Sequence, residues 1–103
     1  MAVVENVLTV LFPADYDSQS EFETPLRGYL SEVEVELEGM RYRLFFIDPV
    51  RLGQELKSNI DSGRPYFAEP NLIILHEVTT DAIKKAVEGL ARNGFFQHLK
   101  NSA

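Results

Sequence analysis

Along residues 29–38 the hydrophobic and polar positions alternate: Tyr29, Ser31, Val33, Val35 and Leu37 fall on one parity, Leu30, Glu32, Glu34, Glu36 and Glu38 on the other. A period of two is that of a strand with one buried face. A two-residue turn at Glu38–Gly39 pairs Leu37 with Met40, Glu36 with Arg41, Val35 with Tyr42, Glu34 with Arg43 and Val33 with Leu44, so every pair matches in character. Continued without interruption, this register sets Glu32 against Phe45 and Leu30 against Ile47. The charged face would then end in an apolar patch of Leu30, Phe45 and Ile47 that something must cover.

The mixed pattern of residues 3–12 predicts a further strand ended by Pro13. Residues 13–27, "PADYDSQSEFETPLR", are acidic, flanked by prolines and without a sustained period, which reads as a long loop. Asp48 as N-cap, Pro49 at the first helical position and Leu52, Leu56 and Ile60 at every fourth residue predict a helix closed by Ser62 and Gly63. "NLIILHEV" is apolar on both parities, as in an interior strand covered on both faces. Thr79 or Thr80 then caps a second helix with Ile83, Ala86, Val87 and Leu90 as its stripe and "RNG" as its stop. "FFQHLK" reads as a terminal edge strand or a last helical turn.

The order is β-β-β-α-β-α with a terminal strand as an option. It predicts one α+β domain over residues 1–103: a mixed sheet with an antiparallel hairpin at 29–48 and two helices mainly on one face. With 103 residues, 45% hydrophobic and 25% charged, the composition suits one globular core. No apolar run approaches the roughly 20 residues of a membrane span, and no basic start precedes the first apolar stretch, so the expectation is a cytoplasmic protein without membrane contact.

Charge sharpens the picture. The net charge is −6, and residues 1–38 hold nine acidic side chains against Arg27 alone. Such a surface repels nucleic acid, and no basic stripe with stacking aromatics offsets it. The absence of cysteine excludes disulfides, a thiolate nucleophile and cysteine-ligated zinc. Asp15 and Asp17 form a D-x-D without the glycine and bidentate acid of a calcium loop, and the six glycines are dispersed rather than gathered around a phosphate. His76 beside Glu77 is the one place for acid–base chemistry, and His98 lies in the tail; their spacing matches no metal-ligand motif. No cofactor is expected.

The leading expectation is a non-enzymatic interaction module that presents an acidic surface to a basic protein. Its candidate contacts are Asp15, Asp17, Glu21, Glu23, Leu30, Glu32, Glu38, Phe45 and Ile47. In size, charge and element order the chain is similar to bacterial immunity proteins that neutralise basic toxins, a likeness of character and not of motif. The alternatives are a homo-oligomer that buries Leu30, Phe45 and Ile47 against a second copy, with Phe22 and Leu26 as an internal cover for the same residues, and a small enzyme at His76 and Glu77.

Overall fold

The computed structural model describes residues 8–99. They form one α+β domain on a four-stranded mixed sheet. In chain order the elements are β1 (Leu8–Leu11), α1 (Ser18–Arg27), β2 (Tyr29–Leu37), β3 (Met40–Ile47), α2 (Pro49–Asp61), β4 (Leu72–Ile74), α3 (Thr80–Arg92) and a 3₁₀ turn at Phe95–His98. The strands lie in the order β1-β2-β3-β4, antiparallel except for the β3–β4 pair, which α2 connects in parallel. Residues 3–7 of the expected first strand lie outside the described residues. The terminal segment is the 3₁₀ turn rather than a strand.

The hairpin follows the alternation from Leu37–Met40 through Val33–Leu44. Glu38 and Gly39 both have positive φ, 53° and 78°, as a tight turn matched to strand twist requires. Beyond Val33 the register shifts: Leu30 pairs with Phe46 and Tyr29 with Ile47, so Ser31 and Glu32 together oppose Phe45. This β-bulge places Glu32 in the left-handed region at φ 61°. Unbroken alternation would have pointed Ser31 into the core; the bulge substitutes Leu30, which is 6% exposed. Burying a leucine contributes about 2 kcal/mol, which offsets the roughly 1–2 kcal/mol of a left-handed non-glycine residue.

The core lies between the sheet and α3. Leu30, Val33, Val35, Tyr42, Leu44 and Phe46 meet Val78, Ile83, Val87 and Phe96, with Ala86 and Leu90 packed beside them. The Thr79 hydroxyl caps α3 by accepting from the Ala82 amide at 3.0 Å. α2 behaves differently: Asp48 caps it as expected, yet none of its residues is buried. Nor is β4 interior. It is an edge strand, as β1 is at the other side of the sheet, and Ile74 on its outer face is exposed. An apolar run on both parities also describes an edge strand whose second face is left open.

Residues 18–27 are the largest departure from expectation, a helix in place of most of the acidic loop. Asp17 caps it by accepting from the Ser20 amide at 2.9 Å. At its end Gly28, at φ 80°, donates its N–H to the Thr24 carbonyl. Pro25 sits in the last turns and forfeits only its own N–H bond. The helix escapes a periodicity search because its inward side is not apolar. Thr24 is fully buried, its hydroxyl donating to the Ser20 carbonyl at 2.6 Å, while Phe22 and Leu26 face solvent.

Candidate interaction surface

α1 is anchored at both ends and bare along its outer side. Before it, the Phe12 and Tyr16 rings stack at 4.8 Å and the Tyr16 hydroxyl meets the Thr80 hydroxyl at 2.7 Å, tying the entry turn to α3. After it, the Gly28 carbonyl accepts from the Asp48 amide at 2.8 Å, and the Gly28 backbone lies against Asp48 and Arg51 of α2. Between these anchors Phe22 is 73% and Leu26 76% exposed, and Asp15, Asp17, Glu21 and Glu23 are exposed around them. Among the described residues none of these four carboxylates has a cationic partner.

The Asp17 carboxyl is held below its ordinary value, chiefly by the Ser20 amide that donates to it. A folded-state pKa that is depressed contributes stability above the unfolded value, and that contribution is lost as pH falls through the folded value. The start of α1 should therefore loosen as pH drops below 3.8. Amide exchange at Ser20 and Glu21 is expected to accelerate there before the sheet responds. Asp17→Asn keeps the cap without the charge and should remove that pH dependence; acceleration unchanged in this variant would contradict the assignment.

On the outer sheet face Glu34 and Glu36 are engaged as the register implied. Arg41 reaches Glu36 at 2.9 Å and Glu34 at 3.6 Å, and Arg43 reaches Glu34 at 3.5 Å. The hydrogen bond to Glu36, with the field of Glu34, raises the Arg41 pKa. These are exposed pairs that set register more than they stabilise.

At the end of this face the expected apolar patch is absent. Leu30 has turned into the core, and Ile47 keeps the predicted face but is fully buried. Phe22 and Leu26 are not its cover, being exposed themselves. Instead Tyr29, brought to the outer face by the bulge, stacks on Phe45 at 6.2 Å, and the Phe67 ring meets Phe45 in a tilted contact at 6.2 Å. The guanidinium groups of Arg27 and Arg51 lie 5.4 Å and 4.8 Å from the Tyr29 ring centre. Homo-association through Leu30, Phe45 and Ile47 thereby loses its surface.

Beside this ladder the bulge opens a cleft of about 420 Å³, lined by Ser31, Glu32, Arg43, Phe45, Glu69 and Asn71 among others. Glu32 and Glu69 place carboxylates on its rim, and Phe45 supplies an apolar wall. Asn71, also at positive φ, is committed to backbone: its side chain donates to the Arg43 carbonyl at 2.8 Å and its carbonyl accepts from Phe45. Glu69 escaped notice in the sequence because only the β3–β4 pairing brings it beside Glu32. Glu38, in contrast, sits in the hairpin turn, separated from α1 by the length of β2, roughly 25–30 Å at 3.3 Å per residue. It belongs to another part of the surface.

His76, Glu77 and His98 are exposed, and neither imidazole has a hydrogen-bond partner among the described residues. Among those residues no group of three or more acidic, histidine or cysteine side chains is placed to hold a metal, and no helix is long and apolar enough to cross a membrane. Comparisons of the chain with protein-family models, with curated proteins and with solved structures find no match in any of the three.

Proposed function

We propose that this chain is a non-enzymatic protein-binding module that docks a basic partner on α1, with the bulge cleft as a second point of attachment. The observation that carries the reading is the orientation of α1. The helix spends its buried side on Thr24 and turns its two large apolar side chains outward among four carboxylates. Apolar anchors surrounded by charge are the anatomy of an interface core and rim. A field of one sign selects the sign of the partner and accelerates its approach. The cleft suits a lysine or arginine side chain, whose stem would lie on Phe45 and whose charge would meet Glu32 and Glu69. An inhibitor or immunity role toward a basic protein is the concrete form of this function.

The test is co-purification of the full chain at low and high salt, followed by calorimetry with the partner retained. Phe22→Ala should weaken binding about 30-fold, the loss of one anchor. Glu21→Lys with Glu23→Lys should slow association about 10- to 100-fold and flatten its salt dependence. A partner whose affinity ignores both changes, or no salt-sensitive partner at all, would dismiss the proposal.

A further inference from the structure

Tyr42 is a core residue with a hydroxyl that the core does not use. Its ring packs against Phe96 at 5.1 Å and the residue is only 8% exposed, so a phenylalanine would fill the same space. Yet the hydroxyl has no hydrogen-bond partner among the described residues, whereas that of Tyr16 is bonded to Thr80. A buried phenol normally finds a partner. Among the same residues, no side-chain nitrogen or oxygen that is sealed from solvent lacks one. The Tyr42 hydroxyl is therefore the part of the residue that reaches open space. That space is a cavity of about 200 Å³ between the hairpin tip and the C-terminal end of α3, which Tyr42 lines.

The walls of the cavity divide by chemistry. Leu37, Met40 and Phe96 supply apolar surface, while Tyr42, Gln97 and Glu38 supply oxygen. The Gln97 side chain folds back toward Gly94, its amide oxygen 3.5 Å from where a Cβ would stand, and it too has no hydrogen-bond partner among the described residues. No lysine or arginine among those residues lines the cavity. Arg92, in the last turn of α3, lines a separate hollow beside β1 instead. The cavity thus holds a carboxylate beside the negative end of the α3 dipole, and no cation.

We propose that this cavity binds a primary alkylammonium group. Its three oxygen acceptors match the three N–H donors of an ammonium. The apolar walls take a short alkyl chain, and the Tyr42 and Phe96 rings also attract the charge. The volume, that of about seven waters, limits the chain to about four to six carbons. A free small amine and the end of a lysine side chain share this chemistry. The site stands apart from α1 and does not depend on the partner surface there.

Titration of the full chain with n-butylammonium chloride at constant ionic strength, followed through its amide chemical shifts by NMR, tests this. Saturable shifts are expected at Met40, Gly94 and Gln97, with a Kd of about 1–10 mM for so small a ligand. Tyr42→Phe should keep the fold and its thermal midpoint while weakening binding about 5- to 10-fold, and Glu38→Gln should weaken it by a similar factor. Glu21→Lys with Glu23→Lys should leave it unchanged. Butyrate, of the same length and opposite charge, should not bind. Nα-acetyl-lysine methylamide decides the source: shifts of the same amides at the same concentrations assign the site to a lysine side chain, and their absence assigns it to a free amine. The proposal is overturned by the lack of a saturable shift with butylammonium, by shifts centred on α1, by equal binding of butyrate, or by a Tyr42→Phe variant that binds as tightly as the wild type.

Discussion

Leu30→Glu should unfold the protein or cost at least about 4–5 kcal/mol, while Ser31→Glu one residue later should cost about 0.5 kcal/mol. The contrast follows from the bulge. Leu30 is 6% exposed and packed with Phe46 in the core, so a glutamate there removes apolar burial and strands a carboxylate without water or a cation. Ser31 lines the open cleft, where a longer polar side chain can reach solvent. Unbroken alternation predicts the reverse, with residue 30 on the glutamate face and residue 31 inside. Urea unfolding followed by circular dichroism decides between them. A tolerated Leu30→Glu together with an unfolded Ser31→Glu would mean that β2 carries no bulge. Against a total stability of about 5–15 kcal/mol for domains in general, the expected loss is large enough to leave no doubt about sign.

Gly28→Ala is expected to destabilise by about 3 kcal/mol, or roughly 15 °C in the thermal midpoint of a domain this size. Two costs combine. The φ of 80° is left-handed, at about 1–2 kcal/mol for any residue with a Cβ. That Cβ would also stand 2.7 Å from an Asp48 carboxylate oxygen and 2.8 Å from the Arg51 Cβ. Asp48 is itself the cap of α2, accepting from the Arg51 amide at 2.7 Å, so displacing it loosens the start of that helix as well. Gly63→Ala isolates the first cost, because Gly63 has a φ of 87° with nothing within 4 Å of its Cβ position. It should lose only about 1 kcal/mol. Equal losses at the two positions would show that α1 and α2 are not wedged together at Gly28.

The elements legible in the sequence are those whose reason to form is local. Asp48–Pro49 and Thr79 announce helices because a cap needs only its own next turn. The pairing of Glu34 and Glu36 with Arg43 and Arg41 could be written down from the turn alone, because tight turns set register and a slip would oppose unlike residues. α3 was equally plain, since its apolar stripe is the face it buries. α1 was not, since Phe22 and Leu26 point away from the protein and a buried threonine has no pattern. Two of the candidate contacts, Leu30 and Ile47, proved to be interior. The acids at 15, 17, 21, 23 and 32 proved exposed as expected, but Glu38 stands apart from them.

The chain's own residue order thus determined the hairpin, its charge ladder, the capped helices on either side of β4 and the acidic bias of the first third. These rest on interactions within a few residues or across one turn. Tertiary structure decided which way α1 and α2 face, where β2 bulges, and that β4 is an edge. Those outcomes depend on competition for one core between distant segments: Leu30 displaces Ser31 because Phe46 and the α3 side need an apolar neighbour, and α2 stays outside because that core is already filled by α3. The apolar residues left over by that competition, Phe22 and Leu26 on α1 and Leu56 and Ile60 on α2, are the ones that remain exposed.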